Sequence, residues 1–189
     1  MRTRDVPDGT VETVSFSPDD RHLVTTGGKT ARIWNIDSGK LEHVLAGHIK
    51  ALTSAAFSPD GRLVVTTSFD HDARIWNART GKPRSLLRDK VDYAVVNDGA
   101  FSADGRWVVT AGPQGAAIWS AQTGRFLFFV RSPRELLLSA ARFSHHGWRI
   151  ATGGATNGSI EAYDCRLCGT LDDLVAMAED RLANIGRKG

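Results

Sequence analysis

Residues 45–77 read LAGHIKALTSAAFSPDGRLVVTTSFDHDARIWN and contain the clearest pattern in the chain. Polarity alternates from Leu52 to Phe57, a β-branched run follows a Ser-Pro-Asp-Gly turn, and a second alternation ends at Trp76. Short runs of this kind, separated by turn residues, are typical of antiparallel strands. The stretch therefore predicts a meander of three short strands.

The same pattern recurs along the chain at a nearly constant period. One aromatic residue opens the segments FSPDD, FSPDG, FSADG and FSHHG, at steps of 41, 44 and 42 residues. Another closes the segments ARIWN, ARIWN, AAIWS and IEAYD, at steps of 42, 43 and 44 residues. The opening and closing residues are Phe16 and Trp34, Phe57 and Trp76, Phe101 and Trp119, and Phe143 and Tyr163. Two independent markers share one period, which predicts four copies of one unit.

A period of about 40 to 45 residues, with four strands per unit and a Gly-His to Trp-Asp signature, is that of a WD-repeat β-propeller blade. Residues 10–168 resemble this family. The resemblance implies an all-β fold with repeats at about 10–45, 46–90, 91–131 and 132–168. We expect the last blade to lack its outer strand, and the incomplete or open propeller to associate with itself or with further blades through its ends.

Two terminal segments flank the repeats. Residues 1–9 are polar and predict an N-terminal tail, whereas residues 169–189 place apolar residues at helical spacing and predict a short amphipathic α-helix. The stretch CRLCGTLDDLVAMAEDRL also resembles the ending of WD-repeat regions attached to bacterial signalling ATPases of the STAND type. The chain itself contains no GxxxxGK[ST] phosphate loop.

The family resemblance also implies a buried hydrogen-bonded relay in the second repeat. In this relay Asp70 accepts a hydrogen bond from His48, His48 bonds to Ser68, and Ser68 receives the indole N–H of Trp76. We predict that these residues are structural and that none is catalytic. A hydrolase triad of Ser68, His48 and Asp70 is a remote alternative, because the sequence lacks a nucleophile elbow.

The usual working surface of the family carries the loops that enter the first strand and those that join the second and third strands. In this chain these loops contain aromatic and charged residues that suit a protein or peptide partner. The candidate partner-binding residues are Lys50, Phe69, Asp92, Tyr93, Arg134 and Thr156. We predict a non-enzymatic interaction scaffold. The alternative is the sensor part of a STAND-type switch protein whose ATPase domain is absent from this chain.

A zinc site is conceivable near the end of the last repeat. Cys165 and Cys168 supply two of the four ligands that structural zinc needs, and a four-stranded meander places His145 and His146 near them. However, the STAND-like ending already accounts for the cysteines, and the histidine pair can be a variant of the turn. We therefore predict neither a metal nor another cofactor.

Composition bears on location and on partner class. The chain has 189 residues, of which 41% are hydrophobic and 24% are charged, as in ordinary soluble domains. The net charge is only +3, and the lysines and arginines are scattered instead of clustered. No apolar stretch approaches the roughly 18 residues of a membrane span, and the N-terminus lacks the apolar part of a signal peptide. We expect a cytoplasmic protein that binds neither nucleic acid nor membranes.

Overall fold

The fold consists of antiparallel β-sheets stacked side by side. A computed structural model describes residues 10–88, 95–131, 137–145, 149–154 and 158–164. All helix or strand structure in these ranges is β-strand, and it forms four sheets in which strands adjacent in sequence are also neighbours in space. The predicted all-β fold is confirmed. The predicted tail at 1–9 and the predicted helix at 169–189 lie outside the described residues.

Fifteen strands are found in the described ranges. The first sheet contains β1 (Thr13–Phe16), β2 (His22–Gly27), β3 (Thr30–Asn35) and β4 (Leu41–Ala46). The second sheet contains β5 (Leu52–Phe57), β6 (Leu63–Ser68), β7 (Ala73–Asn77) and β8 (Pro83–Leu87). The third sheet contains β9 (Asp98–Phe101), β10 (Trp107–Gly112), β11 (Gly115–Ser120) and β12 (Phe126–Arg131). The fourth sheet contains β13 (Leu138–Phe143), β14 (Arg149–Gly154) and β15 (Ile160–Asp164), and its description ends there.

The turn between the first two strands is built in the same way in the first three sheets. In the second sheet the Ser58 hydroxyl donates to Asp60 Oδ1 at 2.6 Å, and the same bond recurs in the first and third sheets. The next residue is Gly61, whose φ of +69° lies in the left-handed region that glycine adopts without a steric penalty. Asp20 occupies this position in the first sheet with a φ of 57°. A repeated local sequence thus produces a repeated hairpin.

Each sheet has two faces that differ in composition. We call the face with the closing aromatic residue the leading face; in the second sheet it includes Val64 and Trp76, which pair across β6 and β7. We call the opposite face the trailing face; in the second sheet it includes the next pair, Val65 and Ile75. Because successive side chains of a strand point to opposite faces, both faces of an interior sheet are available for packing.

The core lies between consecutive sheets, where the trailing face of one sheet packs on the leading face of the next. The cluster between the first and second sheets contains Val24, Ala31, Ile33, Leu45, Leu52, Ala55, Val64, Trp76 and Ala78. The cluster between the second and third sheets contains Val65, Ala73, Ile75, Leu87, Val108, Ala117, Trp119 and Ala121. The cluster between the third and fourth sheets contains Ala100, Val109, Ala111, Ala116, Ile118, Leu138, Ala141 and Ile150.

The sheets are arranged radially around a common axis. Residues of β1, β5, β9 and β13, the first strand of each sheet, line a single cleft of about 400 Å³. Four-stranded sheets that stack side by side around such an axis are the blades of a β-propeller. The leading face of the first sheet is open to solvent, and Phe16 on it is 60% exposed. The described blades therefore form an open arc, as predicted.

Candidate functional site

A buried hydrogen-bonded chain joins the loops and strands of the second sheet. His48 follows β4, and its Nδ1 lies 2.9 Å from Asp70 Oδ2, which follows β6. His48 Nε2 lies 2.9 Å from Thr66 Oγ1 on β6. The indole Nε1 of Trp76 on β7 donates to the same hydroxyl at 2.8 Å. Four polar side chains from separate segments are thus satisfied by one another inside the protein.

The partners of each atom suit the neutral form of His48. Thr66 Oγ1 accepts from Trp76, so its own proton is available to donate to His48 Nε2, and His48 Nδ1–H donates to the Asp70 carboxylate. Burial lowers the pKa of His48, and this effect exceeds the opposing influence of Asp70. Burial alone raises the pKa of Asp70, but hydrogen bonds from the Ile49 amide and His48 hold it below its ordinary value. A neutral imidazole thus faces an ionised carboxylate.

The relay passes through Thr66, and the prediction that it passes through Ser68 is wrong. Trp76 pairs with Val64, and Thr66 is the next residue of β6 on the same face. This diagonal position is within reach of an indole. Ser68 shares that face but lies four residues from Val64, about 13 Å along the strand. The predicted alternation of β6 is therefore right, and the assigned position is two residues too far along.

Ser68 has a different role in the structure. Its hydroxyl donates to the carbonyl of Ala51 at 2.8 Å and accepts a hydrogen bond from the Asp70 amide at 3.1 Å. It therefore links the segment before β5 to the loop after β6. Because His48 Nε2 is paired with Thr66 and not with Ser68, these side chains do not assemble the hydrogen-bond sequence of a hydrolase triad.

Thr66 could have been found by comparing the repeats. Trp34 Nε1 donates to Thr25 Oγ1 at 2.9 Å in the first sheet, and Trp119 Nε1 donates to Thr110 Oγ1 at 2.9 Å in the third. A threonine thus stands nine or ten residues before the tryptophan in three repeats. The family resemblance implied Ser68 instead, because the family pattern was applied to the second repeat without comparison with the other repeats.

Two exposed apolar side chains lie on the loops that carry this buried network. Ile49 is 72% exposed and Phe69 is 47% exposed. The Ile49 amide donates to Asp70 Oδ2 at 2.9 Å, and the Phe69 amide donates to the Ala51 carbonyl at 3.0 Å. Lys50 is also exposed on the same loop. The structure thus brings together the sequence-predicted Lys50 and Phe69 and adds Ile49, which the sequence analysis missed although an isoleucine in a polar loop is a recognisable signal.

The remaining predicted site residues lie in other parts of the chain. Asp92, Tyr93, Arg134 and Thr156 are outside the described residues, as are His146, Cys165 and Cys168. His145 is exposed in the turn after β13. Within the described ranges, no group of three or more His, Cys, Asp or Glu side chains is placed to hold a metal ion. The Cys₂His₂ alternative is therefore not tested by this structure.

The family model described as "WD domain, G-beta repeat" matches residues 2–35 and 39–77. The first two repeats of the chain are WD40 repeats. Both matched segments end at or just after a closing tryptophan, Trp34 or Trp76, so the family pattern and the observed blades have the same period. Proteins with WD40 repeats typically act as protein-interaction scaffolds and are generally not enzymes.

Proteins from several eukaryotes are similar in sequence to this chain. "Protein tipD" of Dictyostelium discoideum is 29% identical over 66% of this chain and 21% of its own length. "Apoptotic protease-activating factor 1" of Homo sapiens is 32% identical over 61% of this chain and 10% of its own length. "Small ribosomal subunit protein RACK1" of Caenorhabditis elegans is 30% identical over 59% of this chain and 34% of its own length. The chain therefore spans about a third or less of each of these relatives.

One structural finding concerns membranes. No helix among the described residues has the length and apolar character that crossing a bilayer requires.

Proposed function

We propose that this chain is a non-enzymatic protein-interaction module whose binding surface is centred on Ile49, Lys50 and Phe69. The observation that supports this proposal is the exposure of two large apolar side chains on loops that are otherwise tied down by hydrogen bonds. Large apolar side chains exposed next to each other on a folded surface are common at protein interfaces.

Rigidity is the main argument for this surface over other exposed loops. Asp70 accepts hydrogen bonds from His48, from the Ile49 amide and from the Asp72 amide, the last at 3.1 Å. The loops before β5 and after β6 are therefore held by one buried carboxylate. A surface that is fixed before binding loses little conformational freedom when a partner docks, which favours affinity.

The chemistry of the surface defines the class of partner. An apolar side chain of a protein or peptide can pack between Ile49 and Phe69, and a carboxylate beside it can pair with the Lys50 ammonium. We expect the apolar contacts to supply most of the affinity, because an exposed ion pair contributes little. The predicted contribution of Asp92, Tyr93, Arg134 and Thr156 extends the same proposal to neighbouring loops.

The test compares three forms of the full chain as immobilised bait in a lysate, followed by titration of each purified candidate partner by calorimetry. Replacing Ile49 and Phe69 by serine is expected to weaken the binding of a true partner by about tenfold or more, since buried apolar contacts dominate such interfaces. The matched control is Leu127→Ser, which removes a side chain that is 42% exposed on β12 of the third sheet. Equal affinity of a purified partner for wild type, the double variant and the control would exclude this surface.

A second candidate is the sensor part of a STAND-type switch protein. The match to apoptotic protease-activating factor 1, a STAND-type protein, supports this candidate but covers only 10% of that protein. A phosphate-loop ATPase encoded in the same reading frame would favour it, and a frame that encodes no such domain would count against it. A cytoplasmic location and the absence of nucleic-acid and membrane partners remain predictions under both candidates.

A further inference from the structure

The leading face of the first sheet is built like the leading faces that are buried elsewhere in the arc. It carries Val14, Phe16 and Leu23, and Trp34 bonds to Thr25 as Trp76 bonds to Thr66. Leu41 and Val44 of β4 lie on the same face. The first sheet therefore has the same apolar leading face that the second and third sheets bury against a neighbour.

Corresponding side chains differ strongly in exposure between the first and second sheets. Trp76 is fully buried and Phe57 packs against the same cluster, whereas Phe16, the counterpart of Phe57, is 60% exposed. Val14, Leu41 and Val44 are also exposed. A contiguous apolar face of this kind is typical of an interface.

The three interfaces inside the arc show which residues pack against a leading face. In each, the preceding sheet presents a valine and an isoleucine that pair across its second and third strands, and both are buried. An alanine lies two residues before each isoleucine. These three residues are Val24, Ile33 and Ala31 in the first sheet, Val65, Ile75 and Ala73 in the second, and Val109, Ile118 and Ala116 in the third.

The trailing face of the fourth sheet departs from this pattern at all three positions. Ala151 and Ala162 pair where the other sheets have valine and isoleucine, and both are exposed. Ile160 replaces the buried alanine and is 83% exposed. The fourth sheet thus has too little bulk where the interface needs it and a large side chain where the interface has room only for alanine. A well-packed interface tolerates neither change without a loss of stability.

We propose that the leading face of the first sheet binds the trailing face of a further WD-type blade that carries the valine, isoleucine and alanine of the other interfaces. A second copy of this chain is discriminated against, because its free trailing face carries Ala151, Ala162 and Ile160. The leading face of the first sheet has the same composition as the leading faces that pack on a preceding blade inside the arc. A blade is therefore the occupant that fits it. The proposal is independent of the surface at Ile49 and Phe69.

The test uses full-length chains, with a variant of the chain itself as the probe. The probe combines Phe16→Glu, which blocks its own leading face, with Ala151→Val, Ala162→Ile and Ile160→Ala, which give its fourth sheet the missing trailing-face residues. The matched control carries Phe16→Glu alone. All four positions are exposed, so folding should be retained, and circular dichroism checks it. Each protein is mixed with wild type and measured by analytical ultracentrifugation.

We expect a one-to-one complex of wild type with the probe, at least about tenfold tighter than that with the control, because the restored methyl groups are buried on association. Adding Phe16→Glu to the wild-type partner should abolish the complex. If the probe binds wild type no better than the control does, the proposal is overturned. This result is expected if, for instance, another segment of the chain covers the leading face of the first sheet. If wild type self-associates through Phe16 in the absence of the probe, the claim that the face discriminates against a second copy of this chain is overturned.

Discussion

His48 Nε2 lies 2.9 Å from Thr66 Oγ1, and the same hydroxyl accepts the indole N–H of Trp76 at 2.8 Å. One threonine therefore serves two buried polar partners from different segments of the second sheet. In the first and third sheets the corresponding threonine bonds to its tryptophan, and among the described residues no histidine bonds to it. The second blade is thus the place where the sheet and the loops above it are joined.

Replacing Thr66 by valine should destabilise the protein by about 2 to 4 kcal/mol. The substitution keeps the shape of the side chain but leaves both His48 Nε2 and Trp76 Nε1 without a partner, and each buried unpaired group costs about 1 to 3 kcal/mol. Thr110→Val is the matched control, since among the described residues its hydroxyl bonds to Trp119 alone, and it should cost about half as much. Urea unfolding of the three proteins measures the difference. Equal losses for the two variants would contradict the double role of Thr66.

The buried His48 should make stability depend on pH. An unfolded histidine binds a proton near pH 6.5, whereas burial lowers the pKa of His48 in the folded protein. Between these two values the unfolded chain binds more protons, so stability must fall as pH falls below about 6.5, by at most about 1.4 kcal/mol per pH unit. At higher pH the full contribution is present.

Comparison with a His48→Gln variant isolates this contribution. The wild-type free energy of unfolding should decrease more steeply than that of the variant between about pH 7 and pH 5.5. Asp70, whose pKa is also lowered, acts only in a separate window below its ordinary value of 3.8. Parallel pH profiles for wild type and variant would show that another group causes the dependence.

The ion pair of Asp72 and Arg88 should contribute measurably to stability. Asp72 is buried directly before β7, and Arg88 donates to both of its carboxylate oxygens, at 2.6 Å from Nε and 2.5 Å from Nη2. Arg88→Met removes this bidentate partner, and we expect a loss of about 1 to 3 kcal/mol, less than for a fully buried pair because Arg88 is half exposed.

A second ion pair of the chain provides the control for Arg88. Arg62 and Asp60 are both exposed and 3.9 Å apart, so Arg62→Met should change stability by less than about 0.5 kcal/mol. Thermal unfolding at low and high salt compares the two variants. A loss for Arg62→Met as large as that for Arg88→Met would mean that geometry and burial do not distinguish these pairs.

The sequence predicted the blades well because the hydrophobic alternation is repeated in every unit. The two residues that mark the period, such as Phe57 and Trp76, end up on the same face of one sheet, so their spacing carries structural information. The relay was predicted less well, since Thr66 and Ser68 share a face of β6 and only the register with β7 distinguishes them. Exposure of Ile49 depends on loop geometry, which no periodicity encodes.

The residue with a left-handed backbone conformation in the first hairpin should affect stability. Asp20 has a φ of 57° at the turn position where the second and third sheets have Gly61 and Gly105, with φ of +69° and +71°. A residue with a Cβ is strained in this region, although aspartate tolerates it better than most. Asp20→Gly should therefore raise stability by about 0.5 kcal/mol, or roughly 1 to 2 °C in melting temperature for a chain of this size.

The reverse substitution in the neighbouring sheet should change the melting temperature in the opposite direction. Gly61→Asp introduces the strain that Asp20 already has, and it should lower the melting temperature by a similar amount. Because the two hairpins share the serine and aspartate bonds, the difference between the variants reports on backbone conformation and not on the turn's hydrogen bonds. Differential scanning calorimetry of both variants decides the matter: a lower melting temperature for Asp20→Gly would show that the aspartate side chain stabilises the turn by more than its left-handed backbone costs.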